Sequence, residues 1–193
     1  MNAILDQRMS KAEFLCWVQG REGRYELSEG RIVQQMTGGT FRHFNLADAI
    51  GDAIKARMDR RVWWCTTGGP GVDVPVEVAG VTVRYPDVVV GRHGVAPTAL
   101  TIDNPVVIFE VLSPSSVTLD LVIKPREYLS IVALEAYIAA SQEEPRLTVW
   151  QRGADGIFPS LPVELTDPGD KLQFGALSLS ITVGELYSGF ASV

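Results

Sequence analysis

The chain has 193 residues, 46% of them hydrophobic and 21% charged, with 17 basic against 23 acidic side chains, a formal net charge of −6 and a pI of about 4.9. That length suits one globular domain over 1–193 with a sizeable core, and the charge argues against a protein that coats nucleic acid by electrostatics alone. No apolar run approaches the length needed to span a bilayer, and no basic segment followed by an apolar stretch opens the chain, so the expectation is a cytoplasmic protein with no membrane partner.

In chain order, residues 1–9 read as a loose leader. Ser10-Lys11-Ala12-Glu13 has the capping-box pattern, which predicts a helix from Lys11 that buries Phe14, Leu15 and Val18 and stops at Gly20 and Gly23. Arg24-Tyr25-Glu26-Leu27 and the run from Arg31 to Met36 read as two strands joined at Ser28-Glu29-Gly30, a hairpin turn. Gly39 or Thr40 opens a longer helix to about Arg60, on which Phe44, Ala47, Ile50, Ile54 and Met58 recur at helical spacing. Lys55, Arg57, Arg60 and Arg61 make the densest basic cluster; it reads as a solvated helix face before it reads as a holder of DNA backbone. Trp63 and Trp64, in a strand from Val62 to Cys65, should place one indole inward and one outward, a hint of a subunit interface. Cys16 and Cys65 are far apart and lack metal-ligand spacing, so they are expected as reduced thiols.

Two acidic residues then interrupt strands that are otherwise apolar. One is Asp87, in the run from Val81 to Val90; the other is Glu110, in the run from Pro105 to Ser113. A charge inside a core-type strand costs several kcal/mol unless it is paired or bound to a metal. Two acids on neighbouring strands repel each other, and a shared cation is a natural way to keep both ionised. Asp120 and Lys124 follow shortly after, and a lysine is the one positive side chain that such a site wants beside a phosphate. The combination points to metal-dependent phosphodiester chemistry, with Mg²⁺ as the suited ion and Mn²⁺ as a substitute. The Val111 carbonyl adds a ligand if the strand turns outward at Leu112.

Around Lys124 the local reading is divided. A helix is expected over about 119–131 with Tyr128 and Leu129 facing the core, yet Pro125 disfavours a regular helix through that point. Either the helix begins at Pro125, or Pro125 sits in a kinked first turn. The runs from Glu135 to Ala140 and from Arg146 to Gln151 read as a strand pair, and the tail as short strands with a final helical turn. The whole predicts a mixed α/β (α+β) core.

An ordered set of motifs resembles one family. It comprises Arg24-Tyr25-Glu26-Leu27 with Gly30, His43 at the start of the long helix, Tyr85-Pro86-Asp87, Glu110-Val111-Leu112-Ser113-Pro114-Ser115, and Asp120 with Lys124 and Tyr128. From about Ser10 to Tyr187 the chain resembles the Uma-type family of restriction endonucleases, within the PD-(D/E)XK nuclease superfamily. The resemblance implies a restriction-endonuclease-like fold, a central mixed sheet flanked by helices with extra antiparallel strands, and Mg²⁺-dependent cleavage of DNA by a homodimer. It puts the two core acids on Asp87 and Glu110 and the acid of the first hairpin on Glu26. The superfamily's basic pattern would put a lysine at position 112, where this chain has Leu112; the family resemblance moves that role to Lys124.

Asp87, Glu110, Lys124 and Glu26 are thus the candidate catalytic residues, with Asp87, Glu110 and Val111 as metal ligands. His43 and Ser113 are candidate substrate contacts, although a histidine at a helix start is more often a structural hydrogen-bonder. For Glu26 a solvated ion pair with Arg24, and for Lys124 a helical salt bridge to Asp120, are the plainer readings. Two other functions compete with the nuclease: a catalytically inactive nuclease-fold module that binds nucleic acid or protein, and an enzyme acting on a smaller phosphate ester.

Overall fold

Two six-stranded sheets and four short-to-medium helices account for the ordered core of the computed structural model, which describes residues 3–35, 39–75 and 81–189. The elements run β1 (Ala3–Arg8), α1 (Lys11–Val18), β2 (Arg24–Ser28), β3 (Arg31–Gln35), α2 (Phe41–Lys55), β4 (Trp63–Thr67), β5 (Gly71–Val74), β6 (Thr82–Arg84) and β7 (Val88–Arg92). After these come β8 (Thr101–Ile102), β9 (Pro105–Leu112), α3 (Lys124–Tyr128), β10 (Ala136–Ser141), β11 (Leu147–Gln151), β12 (Val163–Leu165), β13 (Lys171–Phe174), β14 (Leu179–Thr182) and α4 (Val183–Leu186). The first sheet has the order β1-β3-β2-β6-β5-β8, the second β12-β11-β10-β9-β7-β4, and β13 pairs with β14 alone. Met36, drawn above into a strand end, lies outside the described residues.

The N-terminal elements follow from local chemistry. Ser10 caps α1, its hydroxyl accepting from the Glu13 N–H while the Glu13 carboxylate accepts from the Ser10 N–H at 2.8 Å. Glu29 and Gly30 join β2 to β3 with φ of +49° and +78°, the paired left-handed conformation of a two-residue hairpin turn. Phe14 of α1 then packs on Leu27, Ile32 and Val83 of the first sheet. The supposed leader is not loose: β1 pairs antiparallel with β3 from Ala3 opposite Gln34 onwards. The run from Ala3 to Arg8 carries no apolar–polar alternation in sequence to mark it as a strand.

The second sheet is mixed. Its β9 and β10 run parallel and all its other pairs antiparallel. A parallel neighbour cannot be reached by a tight turn, so the chain crosses over between β9 and β10. That crossover bears Asp120, Lys124 and Tyr128. One face of the sheet (Val88, Val90, Val107, Phe109, Ile138) packs on α2, β13, β14 and α4; the other (Val89, Ile108, Tyr137, Trp150) packs on the crossover and on Val72, Val74 and Ile102 of the first sheet. On α2 the buried face is Leu46, Ala47, Ile50 and Ile54, with Phe44 47% exposed, contrary to the periodicity read above. The helix ends at Lys55, yet the Met58 N–H still bonds the Ile54 carbonyl at 2.9 Å, which keeps Met58 buried.

Trp63 and Trp64 are both partly buried, on opposite faces of their strand. Trp63 packs against one core and Trp64 against the other, with its indole N–H donating to the Arg92 carbonyl at 2.9 Å. Gly91, opposite Trp64, has no room for a Cβ because the indole lies across it. Three of the four cations near the end of α2 are paired: Lys55 with Asp52, Arg57 with Glu185 and Arg61 with Asp59. Both cysteines are free thiols, and burial pushes that of Cys65 up to about 11. Among the described residues no helix is long and apolar enough to cross a membrane.

Candidate active site

The run from Val81 to Val90 is two strands, not one. Pro86 cannot donate to a ladder, and Tyr85–Asp87 forms a bend at which the chain leaves the first sheet (β6) and joins the second (β7). Asp87 therefore sits at the junction of the sheets and not within a strand. Val88 pairs with Phe109, so Asp87 stands one residue before the ladder, opposite Glu110 and on the same face as it.

Asp87 has both oxygens engaged. Its Oδ2 accepts from the Val111 N–H at 2.8 Å, and its Oδ1 lies 3.1 Å from His43 Nε2. Burial works to raise this carboxyl, but the His43 and Val111 hydrogen bonds and the nearby Lys124 outweigh it and hold it below the usual aspartate value. Glu110 is 4% exposed; its Oε1 accepts from Lys124 Nζ at 2.7 Å and from the Tyr128 hydroxyl at 3.1 Å. Lys124 Nζ also lies 2.9 Å from Asp120 Oδ1. Burial, reinforced by the like charges of Asp120 and Asp87, outweighs Lys124 and pushes Glu110 well above the ordinary carboxylate range. Burial also opposes the Lys124 charge, but Glu110 and Asp120 more than compensate, so its ammonium is held more firmly than in water.

Local structure explains how Pro125 is tolerated beside Lys124. Residues Leu119–Ile123 form a wide π turn in which the Lys124 N–H reaches back to the Leu119 carbonyl, and Pro125 falls in the first turn of α3. There its missing N–H costs nothing. Both readings of Pro125 are thereby partly realised, and Lys124 is 5% exposed and aimed at β9. Its pairing with Asp120 and its reach to Glu110 coexist.

Glu26 is buried but fully committed. Its Oε2 accepts from Arg84 at 2.9 Å and from Gln35 at 2.7 Å, and its Oε1 from the Tyr85 N–H at 3.1 Å. Its partner is Arg84, not the expected Arg24. Arg84 in turn bonds Glu127 at 2.7 and 2.6 Å, which ties the first sheet to α3. Burial raises Glu26, and Lys124, Arg84 and Tyr85 together bring it below its ordinary 4.5. A depressed folded pKa contributes stability present above that unfolded value and lost as pH falls through the folded one. Acid unfolding midpoints measured in urea should accordingly fall off below about pH 4.5, and Glu26→Gln should flatten that fall while lowering stability at pH 7.

These side chains line one cavity of about 690 Å³. Its walls include Glu26, His43, Asp87, Glu110, Val111, Ser113, Asp120 and Lys124, so all seven sequence candidates and their neighbour Asp120 meet in one place. Ser113 lies in a tight serine turn, its hydroxyl donating to Ser116 Oγ at 2.9 Å. Sequence reasoning missed Tyr128 as a partner of Glu110 and Arg84 as the partner of Glu26. The signals were present: Asp120, Lys124 and Tyr128 are spaced by four, and Arg84 is a charge inside an apolar run.

Hard oxygen donors surround this cavity, and the like-charge repulsion recorded at Glu110 is what a divalent cation would relieve. Among the described residues no three His, Cys, Asp or Glu side chains are already grouped as a metal cage. Mg²⁺ keeps several waters and takes one or two carboxylates from a protein, so Asp87 and Glu110 are donors of the right kind for it. The donor set fits such an ion.

Comparison with known proteins then defines the class. A crystal structure from Anabaena variabilis, described as a "putative nuclease" of the DUF820 family, matches with a TM-score of 0.69 and 16% identity over 93% of this chain and 98% of its own, which shows the fold. An uncharacterized protein of Synechocystis sp. is 25% identical over 189 residues, 95% of this chain and 94% of that protein. The family model Uma2, described as "Putative restriction endonuclease", matches residues 12–184, and the chain belongs to that family. Membership supports a nuclease-like function.

Proposed function

We propose that the chain is a Mg²⁺-dependent endonuclease hydrolysing phosphodiester bonds of DNA, acting in the cytoplasm as a homodimer. The observation that supports this reading is the convergence of Asp87, Glu110 and Lys124 on one cavity, where Asp87, just before β7, and Glu110 of β9 lie together with a buried ammonium paired to Glu110. Asp87 and Glu110 would hold the ion. The Val111 carbonyl joins them, since in an extended strand it lies on the same edge as the Val111 N–H that meets Asp87. A bound Mg²⁺ would neutralise charge developing on the phosphate and make an attacking water more nucleophilic. Lys124, held as an ammonium by Glu110 and Asp120, orients that water and stabilises the phosphate oxygens. Ser113, at the rim, is suited to a phosphate oxygen. Glu26 acts one step back, fixing through Arg84 and the Tyr85 N–H the bend that carries Asp87.

A second reading, an inactive nuclease-fold module, draws on the pairing of Glu110 with Lys124 and Tyr128 and on the net charge of −6. One experiment separates them. The purified protein is given double-stranded, single-stranded and branched DNA with Mg²⁺, with Mn²⁺ and with a chelator, and metal binding is followed by calorimetry. Cleavage that requires the metal and stops with chelator supports the nuclease. A folded protein that neither binds the ion nor cuts any of the three substrates supports the inactive module.

A further inference from the structure

His43 is positioned by more contacts than a helix-start residue needs. Thr40 caps α2: its hydroxyl accepts from the His43 N–H at 3.1 Å and donates to Gln142 at 2.7 Å, pinning the start of the helix to the chain beyond β10. The ring lies so close to Gly39 that a Cβ there would be 3.1 Å from His43 Cδ2, and Phe44 packs edge-on with centroids 5.4 Å apart. The ring is thus fixed from three sides and its Nε2 meets Asp87 Oδ1 at 3.1 Å.

The two ring nitrogens are in different situations. Nδ1 is buried with no hydrogen-bond partner among the described residues. A proton there would be a buried donor with no described residue to receive it, which is costly, whereas a bare lone pair is more easily tolerated. On the other side, Asp87 Oδ2 is already held by the Val111 N–H, and a carboxylate can only accept. The proton therefore belongs on Nε2, donated to Oδ1. Val111 and His43 together grip the carboxylate at both oxygens and leave the group no rotation about its terminal bond.

We propose that His43 is a positioning residue whose Nε2–H locks the Asp87 carboxylate in the orientation needed to hold the metal ion. This rests on the nuclease reading of the same cavity, and extends it to a residue that need not touch DNA. Ligand-orienting hydrogen bonds of this kind are worth about 10–100-fold in metal affinity.

The test uses the full chain. With two histidines in the sequence, the ring nitrogens of His43 are assignable in ¹⁵N-labelled metal-free protein. The expected spectrum shows a ring protonated at Nε2; a ring protonated at Nδ1 alone overturns the proposal. Calorimetry with Mg²⁺ should show His43→Ala weakened about 10–100-fold. His43→Gln, whose amide can place a donor near the Nε2 position, should recover most of the loss. Equal Mg²⁺ affinity in wild type and His43→Ala, or no rescue by His43→Gln in a folded variant, overturns the positioning role and leaves the nuclease reading standing. A wild type that binds no Mg²⁺ overturns both.

Discussion

Lys124→Ala should lower the free energy of unfolding by about 3–5 kcal/mol, the range for breaking a buried ion pair by removing one partner. Glu110 and Asp120 are 4% and 2% exposed, and Lys124 is the cation that meets both. Without it two carboxylates face each other out of water. Glu110, already raised, can escape by taking a proton, so the loss should be smaller near pH 5 and grow as pH rises and that proton is lost. Lys124→Met retains the stem and separates packing from charge. In a Glu110→Gln, Asp120→Asn background the same Lys124→Met change should cost much less, a coupling readable in a double-mutant cycle by urea denaturation. A loss independent of pH and of that background would mean that the ammonium is not balancing the two acids.

That triad was only partly visible in the sequence, and the reasons are physical. An acid in an apolar run reports burial, so Asp87 and Glu110 could be singled out; a run of apolar residues does not report where a strand changes sheets. Pro86 was the available mark of the break that puts Asp87 at a junction, and it lies one residue before it. Glu26 and Arg84 are 58 positions apart and their pairing depends on β2 lying beside β6, a long-range fact that neither local pattern contains. The α2 periodicity found the face that packs on the second sheet but misjudged Phe44, because a helix start at the cavity mouth exposes what its interior would bury. Most of the strands and helices were legible from capping, alternation and turn residues. The division into two sheets was not, since it is decided by which edges meet and not by what each strand prefers.

Asp87→Asn should reduce metal-dependent cleavage by about 10³-fold or more, because a bound ion supplies several kcal/mol to the transition state and each 1.4 kcal/mol is tenfold. The variant removes a charge at almost constant shape, so its cost in stability should stay near 1–3 kcal/mol. That cost has a specific origin. Both carboxylate oxygens accept, one from Val111 and one from His43, so an asparagine must turn its amide donor toward one of them. Facing the Val111 N–H, the amide would oppose one donor with another. Facing His43, it is accommodated if the imidazole gives up its Nε2 proton, which moves that proton to the buried Nδ1. Asp87→Asn should therefore bind Mg²⁺ weakly, cut little, and show the His43 ring converted from the Nε2–H to the Nδ1–H form in its ¹⁵N spectrum. Single-turnover cleavage rates, calorimetry and that spectrum measure the three effects in one sample. Full cleavage by a folded Asp87→Asn protein would remove Asp87 from the metal site and assign the cleavage to other residues.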